Sequence, residues 1–288
     1  MTKNIEFPAE SDGLLLNIVR GQLSGVPSGK VKSHLEHRLI SVDGKATTRY
    51  DYPVRAGQLI RVRSASVNER QSPLEVLYED AELFAVNKPA GLLTVATDRE
   101  KDATAFRVLR DSGVAPLFVV HRLDRDTSGV LLLAKTAAIR DRLQNAWDEI
   151  ITRREYAAVC EGVFADKRGR CDTYLRETSA HKAYSVPRGG DGGKRAVTDY
   201  EVLRENARYS YLRVLLSTGR KNQIRAHMQD LGHPVVGDKK YGATSNPLRR
   251  LGLHASALEL THPATGLPLA INAPADKKFR LPKEGTGL

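Results

Sequence analysis

Nine consecutive residues of the 288-residue chain carry an unusual density of reactive groups: His121-Arg122-Leu123-Asp124-Arg125-Asp126-Thr127-Ser128-Gly129. They run directly into an apolar segment, Val130 to Ala134, which reads as a buried strand. Polar groups removed from water without partners forfeit their hydration, so this stretch must be paired or employed. Loops held by a rigid sheet are where reactive side chains are commonly displayed. The chemistry open to the set is that of a carboxylate: attack on an electrophilic carbon, removal of a proton, or acid–base work by Asp124 and Asp126 on a glycosidic bond. An ion-paired surface turn is the alternative for an isolated Arg-Asp-Arg-Asp.

Other chemistries lack their residues. There is no GxGxxG after a strand, no Walker-type lysine loop and no HExxH. The two cysteines, Cys160 and Cys171, form neither a CxxC pair nor part of a tetrahedral metal set. No metal and no small-molecule cofactor is expected. The formal charge of +11 and pI near 9.7 point instead to a polyanionic partner, RNA or DNA before a membrane surface. A second basic stretch runs from Arg204 to Arg250, with ten basic residues against three acidic. Hydrophobic residues at 41% and charged residues at 27% exclude a disordered chain. No apolar run reaches the ~18 residues of a membrane span, and the first residues lack the layout of a signal peptide. The expectation is a cytoplasmic protein, by default a monomer.

The elements that must position this chemistry can be read in part. Asp12 is placed to cap a helix carrying Leu14, Leu15, Ile18 and Val19 at helical spacing. A second short helix is expected around Val31 to His37, and Asp43-Gly44 is a strong hairpin signal. Residues 12–65 therefore read as a small basic unit, with eight basic residues against three acidic between Lys30 and Arg63. A polar connector follows at 66–73, and 74–288 reads as one mixed domain. Within it, Leu83–Val86, Val130–Leu133 and Tyr211–Leu215 are predicted strands. Ile139, Leu143, Trp147 and Ile150 share a face of a predicted helix over 136–150, and a second helix is expected over 222–231. Pro187 to Lys194 reads as a loop tip.

The stretch HRLDRDTSGVLLLAK resembles the signature of the RluA family of RNA pseudouridine synthases. Further blocks follow in the family's order: Asn87-Lys88-Pro89-Ala90-Gly91, Arg154-Glu155-Tyr156, Thr218 to His227, His233 to Asp238, and Leu251 to Ala255. The similarity spans roughly residues 74–274. Two departures stand out: Asn222 where many members carry His, and LLTVATDRE after Gly91 without the usual His-Pro. The small unit at 12–65 resembles an S4-type RNA-binding domain, through Asp43-Gly44-Lys45 and Ala56-Gly57-Gln58.

The resemblance implies an α+β pseudouridine-synthase fold, a bent, mainly antiparallel mixed sheet flanked by helices. It implies Asp124 as the catalytic aspartate, Arg225 as its ion-pair partner and Tyr156 as the group stacked on the target base. Arg122 would fill the place of a flipped nucleotide and Leu253 would close the base pocket. Arg220 and His121 would support substrate binding, His121 mainly by ordering its loop. The implied partner is RNA, ribosomal ahead of transfer RNA. A non-catalytic RNA-binding or ribosome-assembly factor on the same fold remains the competing reading.

Overall fold

The computed structural model describes residues 5–22, 28–36, 39–62, 72–96, 104–114, 116–179, 181–188, 192–276 and 279–282. The chain divides into two compact units: residues 1–72 with 111–114, and residues 73–110 with 115–288. Apart from Ser72 and Pro73, the expected connector lies outside the described residues, as does the centre of the 187–194 loop.

In the first unit, β1 (Ile5–Pro8) and β2 (Gly13–Leu14) precede helices α1 (Leu15–Gln22) and α2 (Ser28–Glu36). Then come β3 (Ile40–Val42), β4 (Lys45–Ala46), β5 (Pro53–Val54) and β6 (Leu59–Val62). The main sheet has the order β1-β6-β3-β4, and β2 pairs with β5. Leu15 and Val19 of α1 and Val31 and Leu35 of α2 bury against Ile40, Val42, Ile60 and Val62. Asp43 and Gly44 both take positive φ, 48° and 78°, as the tightest two-residue hairpin turn requires. Asp12 does not cap α1. Its carboxylate accepts from the Ala56 N–H at 2.7 Å, and the chain pairs briefly as β2 before the helix starts at Leu15. A cap requires the helix to begin at the next residue, and here two strand residues intervene.

The second unit is built on one large sheet. Its strands are β7 (Val76–Glu79), β8 (Leu83–Lys88), β9 (Phe118–Val119), β10 (Ser128–Ala134), β11 (Ile151–Glu161), β12 (Arg168–Glu177), β13 (Ala183–Val186), β14 (Lys194–Glu205), β15 (Tyr209–Leu216), β16 (Leu253–Thr261) and β17 (Pro268–Asn272). The order is β13-β12-β14-β15-β11-β16-β10-β8-β7, with β17 on β16 and β9 on β10. Among the described pairs of this sheet, β10 with β16 is parallel and the others antiparallel. This is the mixed, mainly antiparallel sheet with accompanying helices expected from the sequence.

Among the described residues, four α-helices accompany it, α3 (Ala105–Asp111), α4 (Ala137–Asn145), α5 (Trp147–Ile150) and α6 (Gln223–Asp230), with one 3-10 turn at Lys239–Tyr241. The single helix predicted over 136–150 is broken at Ala146, whose φ of −121° leaves the helical region. Its apolar face survives the break: Ile139, Leu143 and Ile150 pack with Leu83, Val130 and Leu132. Thr136 caps α4 by accepting from the Ile139 N–H at 3.2 Å. Ile224 and Met228 of α6 pack on Ala158, Leu212 and Val214 of β11 and β15.

The register of three strands brings the chemistry together. Ser128 lies opposite His254 and Gly129 opposite Ala255, while Tyr156 faces Ala255 from the other side. The loop leading into β10, the first residue of β16 and Tyr156 in β11 therefore meet at one place. Gly129 is required there: its φ is 114°, and a Cβ would stand 2.1 Å from the Ala255 carbonyl oxygen.

Candidate active site

A cleft of about 320 Å³ opens where these strands meet α6, and its lining includes Arg122, Asp124, Tyr156, Arg220, Arg225 and Leu253. Six of the seven residues singled out from the sequence thus share one cleft, which draws on four separate chain segments.

The loop that carries Asp124 is held by the first strands of the unit. Lys88, fully buried at the end of β8, donates from Nζ to the carbonyl oxygens of Pro89 at 2.9 Å, Leu92 at 2.7 Å and Arg125 at 3.0 Å. The Gly91 N–H donates to the same Arg125 oxygen at 2.9 Å. The Thr94 hydroxyl donates to the Leu123 carbonyl at 2.8 Å and accepts from the Leu123 N–H at 3.1 Å. Asp124 is thereby bracketed on both sides by pinned backbone. Burial pushes the Lys88 ammonium down to about 8, against the pull of Asp126 and Asp124. Three carbonyl acceptors suit its three donors.

His121 is the residue the cleft does not include. Its Nε2 accepts from the Leu132 N–H at 2.9 Å, and its ring lies 5.0 Å from that of Trp147. An imidazole that must accept from a backbone N–H has to be neutral, and burial, with help from Arg154, pushes it down to about 4. The contact ties the loop to β10, as the loop-ordering part of its expected role requires, while the ring itself does not line the cleft.

Arg225 divides its donors between two carboxylates. Nε and Nη2 reach Asp238 Oδ2 and Oδ1 at 2.6 and 2.8 Å, a bidentate pair. Nη1 donates to Asn222 Oδ1 at 2.7 Å and lies 3.5 Å from Asp124 Oδ2. Its guanidinium also stacks over the Tyr241 ring at 4.7 Å. Burial is the largest single influence and works against the charge, but the hydrogen bonds and charge of Asp238, together with the charge of Asp124, hold Arg225 above its ordinary pKa. The side chain of Asp238 is 2% exposed and that of Asp124 is 29% exposed. The buried carboxylate fixes the arginine, and the accessible one is left to face the cleft.

Burial, aided by the Asp124 charge, pushes Tyr156 up to about 12, so its side chain is a neutral phenol at neutral pH. Arg122 is exposed at the rim. Arg220 donates from Nε to the Arg195 carbonyl at 2.9 Å. Gln223 locks the start of α6, accepting from the Thr218 hydroxyl and the Arg220 N–H and donating to Val197 and Thr198. Beneath the cleft, Arg250 donates to Ser128 Oγ at 2.6 Å, which sits 2.7 Å from His254 Nδ1. Reading residue types alone missed Lys88, Thr94 and Asp238 as supports. The Lys-Pro-Ala-Gly and Gly-Asp blocks were visible, but what they touch depends on the tertiary fold.

Among the described residues, no group of three or more His, Cys, Asp or Glu could hold a metal ion, and no helix is long and apolar enough to cross a membrane. Cys160 and Cys171 are free and buried, and burial pushes both thiols up.

The chain is similar to known proteins over most of its length. The family described as RNA pseudouridylate synthase matches residues 82–230. The tRNA pseudouridine synthase C of Salmonella typhi is 37% identical over 72% of this chain and 87% of its own length. The ribosomal large subunit pseudouridine synthase D of Haemophilus ducreyi is 28% identical over 97% of this chain and 93% of its own. Among solved structures, human RNA Pseudouridylate Synthase Domain Containing 1 aligns with a TM-score of 0.59 and 27% identity, covering 74% of this chain and 86% of that one.

Proposed function

Because the chain belongs to the RNA pseudouridylate synthase family, of the RluA type, its reaction is the isomerisation of uridine in RNA to pseudouridine, and we propose that Asp124 is its catalytic group and large-subunit ribosomal RNA its substrate. The observation that carries the first part is the shared cleft: Asp124 lies 3.5 Å from the Arg225 guanidinium, with Tyr156 and Leu253 in the same lining.

The reaction breaks the N1–C1′ bond, turns the uracil and forms a C5–C1′ bond. N1, which carries no hydrogen in uridine, takes up a proton, and the hydrogen on C5 is released as a proton to solvent, so the isomerisation balances. Asp124 acts on the sugar, by attack at C1′ or by removal of the neighbouring 2′ hydrogen. Either role uses the carboxylate oxygens, and the Arg225 guanidinium lies 3.5 Å from one of them. Tyr156, kept as a neutral phenol, offers a flat ring to the uracil and Leu253 an apolar wall. Arg122 at the rim is suited to fill the gap left by the extruded nucleotide, since a planar guanidinium both stacks and hydrogen-bonds. Extrusion costs a few kcal/mol, and Arg220 at the same rim is suited to an RNA phosphate.

The substrate proposal rests on the first unit, read as an S4-like RNA-binding domain. Its support is the hairpin at Asp43-Gly44, the two helices on a small sheet and the clustered basic residues. The relative named for the large ribosomal subunit aligns over 97% of this chain, which must include most of residues 1–72. The relative named for tRNA aligns over 72%. The deciding experiment offers the enzyme ribosomal and transfer RNA from cells lacking its gene. Pseudouridine appearing only in large-subunit RNA supports the proposal, and its appearance only in tRNA overturns it.

A further inference from the structure

Arg225 presents to Asp124 the one terminal nitrogen that Asp238 does not take, and that nitrogen has a second partner. Asp238 takes Nε and Nη2 and fixes the plane of the guanidinium. Nη1 carries two N–H groups. One is taken by Asn222 Oδ1 at 2.7 Å, and Asp124 lies 3.5 Å from the same nitrogen. Asn222 is buried and is itself anchored. Its amide nitrogen donates to the His181 carbonyl at 3.3 Å. The orientation of the amide is thereby dictated: oxygen towards a donor-only guanidinium, nitrogen towards a carbonyl. Its backbone is left-handed, φ 55° and ψ 20°, a conformation Asn tolerates better than most residues. Lys240 donates to the same His181 carbonyl at 3.0 Å, so the anchor is held from two sides.

We infer that Asn222 is a positioning residue for the reaction, holding Nη1 of Arg225 towards Asp124 from the position immediately before α6. This rests on the proposed role of Asp124. Its effect should fall on the chemical step and act entirely through Arg225.

Asn222→Gly is the discriminating variant, because it removes the amide while keeping the left-handed backbone comfortable. Single-turnover rates and RNA affinity would be measured for wild type, Asn222→Gly, Arg225→Lys and the double variant, with thermal unfolding as a check on folding. The expected result is a roughly 10-fold lower rate for Asn222→Gly, RNA affinity within about twofold, and no further loss when the change is added to Arg225→Lys. An unchanged rate, a loss confined to RNA affinity, or fully additive losses in the double variant would each overturn the inference. Should Asn222→Gly melt well below wild type, the double variant decides alone, since a general weakening adds to Arg225→Lys and a lost aim does not. If wild type turns over but Asp124→Asn does too, the failure lies with the role of Asp124, and the inference falls with it.

Discussion

Arg225 makes two short bonds to a carboxylate that is 2% exposed and one longer ion pair to a carboxylate that is 29% exposed. Removing the buried partner strands a charge inside the protein. Asp238→Asn should therefore cost about 3–5 kcal/mol in urea unfolding and also lower turnover, although Asp238 does not line the cleft. Asp126→Asn, on an exposed residue of the loop that carries Asp124, should change stability by less than about 0.5 kcal/mol. His121 supplies a pH dependence. Its folded pKa of about 4 lies below the ordinary 6.5 because burial, then Arg154, disfavours the imidazolium. Below pH 6.5 the unfolded chain takes a proton that the folded one refuses. Stability is full above that pH and is lost as pH falls towards 4, by about 3 kcal/mol. Unfolding of wild type and His121→Gln at pH 7 and pH 4.5 should show the smaller loss in the variant. Asp124, Tyr156 and Arg225 were legible in the sequence because each sits inside a block of fixed residue types. Asp238 as the partner of Arg225 was not, since thirteen residues and a chain reversal separate them.

At the scale of elements, the site exists because β10 and β16 run parallel at very close approach. Gly129→Ala puts a Cβ 2.1 Å from the Ala255 oxygen and forces a side chain onto a φ of 114°. The variant should lose about 3 kcal/mol or more, seen as a lower thermal midpoint or failure to accumulate folded protein. Strands β8, β10 and β15 were readable because their residues form apolar runs or alternate. The long strands β11, β12 and β14 were not read from pattern, since their surfaces mix buried positions with ion pairs such as Arg168–Glu201 and Arg195–Asp172. A charge paired across strands looks, in sequence, like a charge in a loop. The break at Ala146 was invisible for a related reason: the apolar face continues through it, and periodicity reports the face rather than the hydrogen bonds.

For the whole molecule, a formal +11 on 288 residues makes phosphate contact a dominant source of affinity. RNA binding should weaken steeply between about 50 and 200 mM salt, by at least tenfold; a flat response would contradict a phosphate-driven complex. If the first unit contacts RNA, Lys45→Ala with Arg55→Ala should reduce affinity and the salt slope while leaving the single-turnover rate at saturating enzyme unchanged. The most direct test remains release of tritium from RNA labelled at uridine C5, with wild type and Asp124→Asn compared on the same RNA. The expected result is release by wild type and none by the variant, with RNA binding retained by both. Equal release by the two proteins would contradict the assignment of Asp124, and no release by wild type from any cellular RNA would contradict the reaction itself.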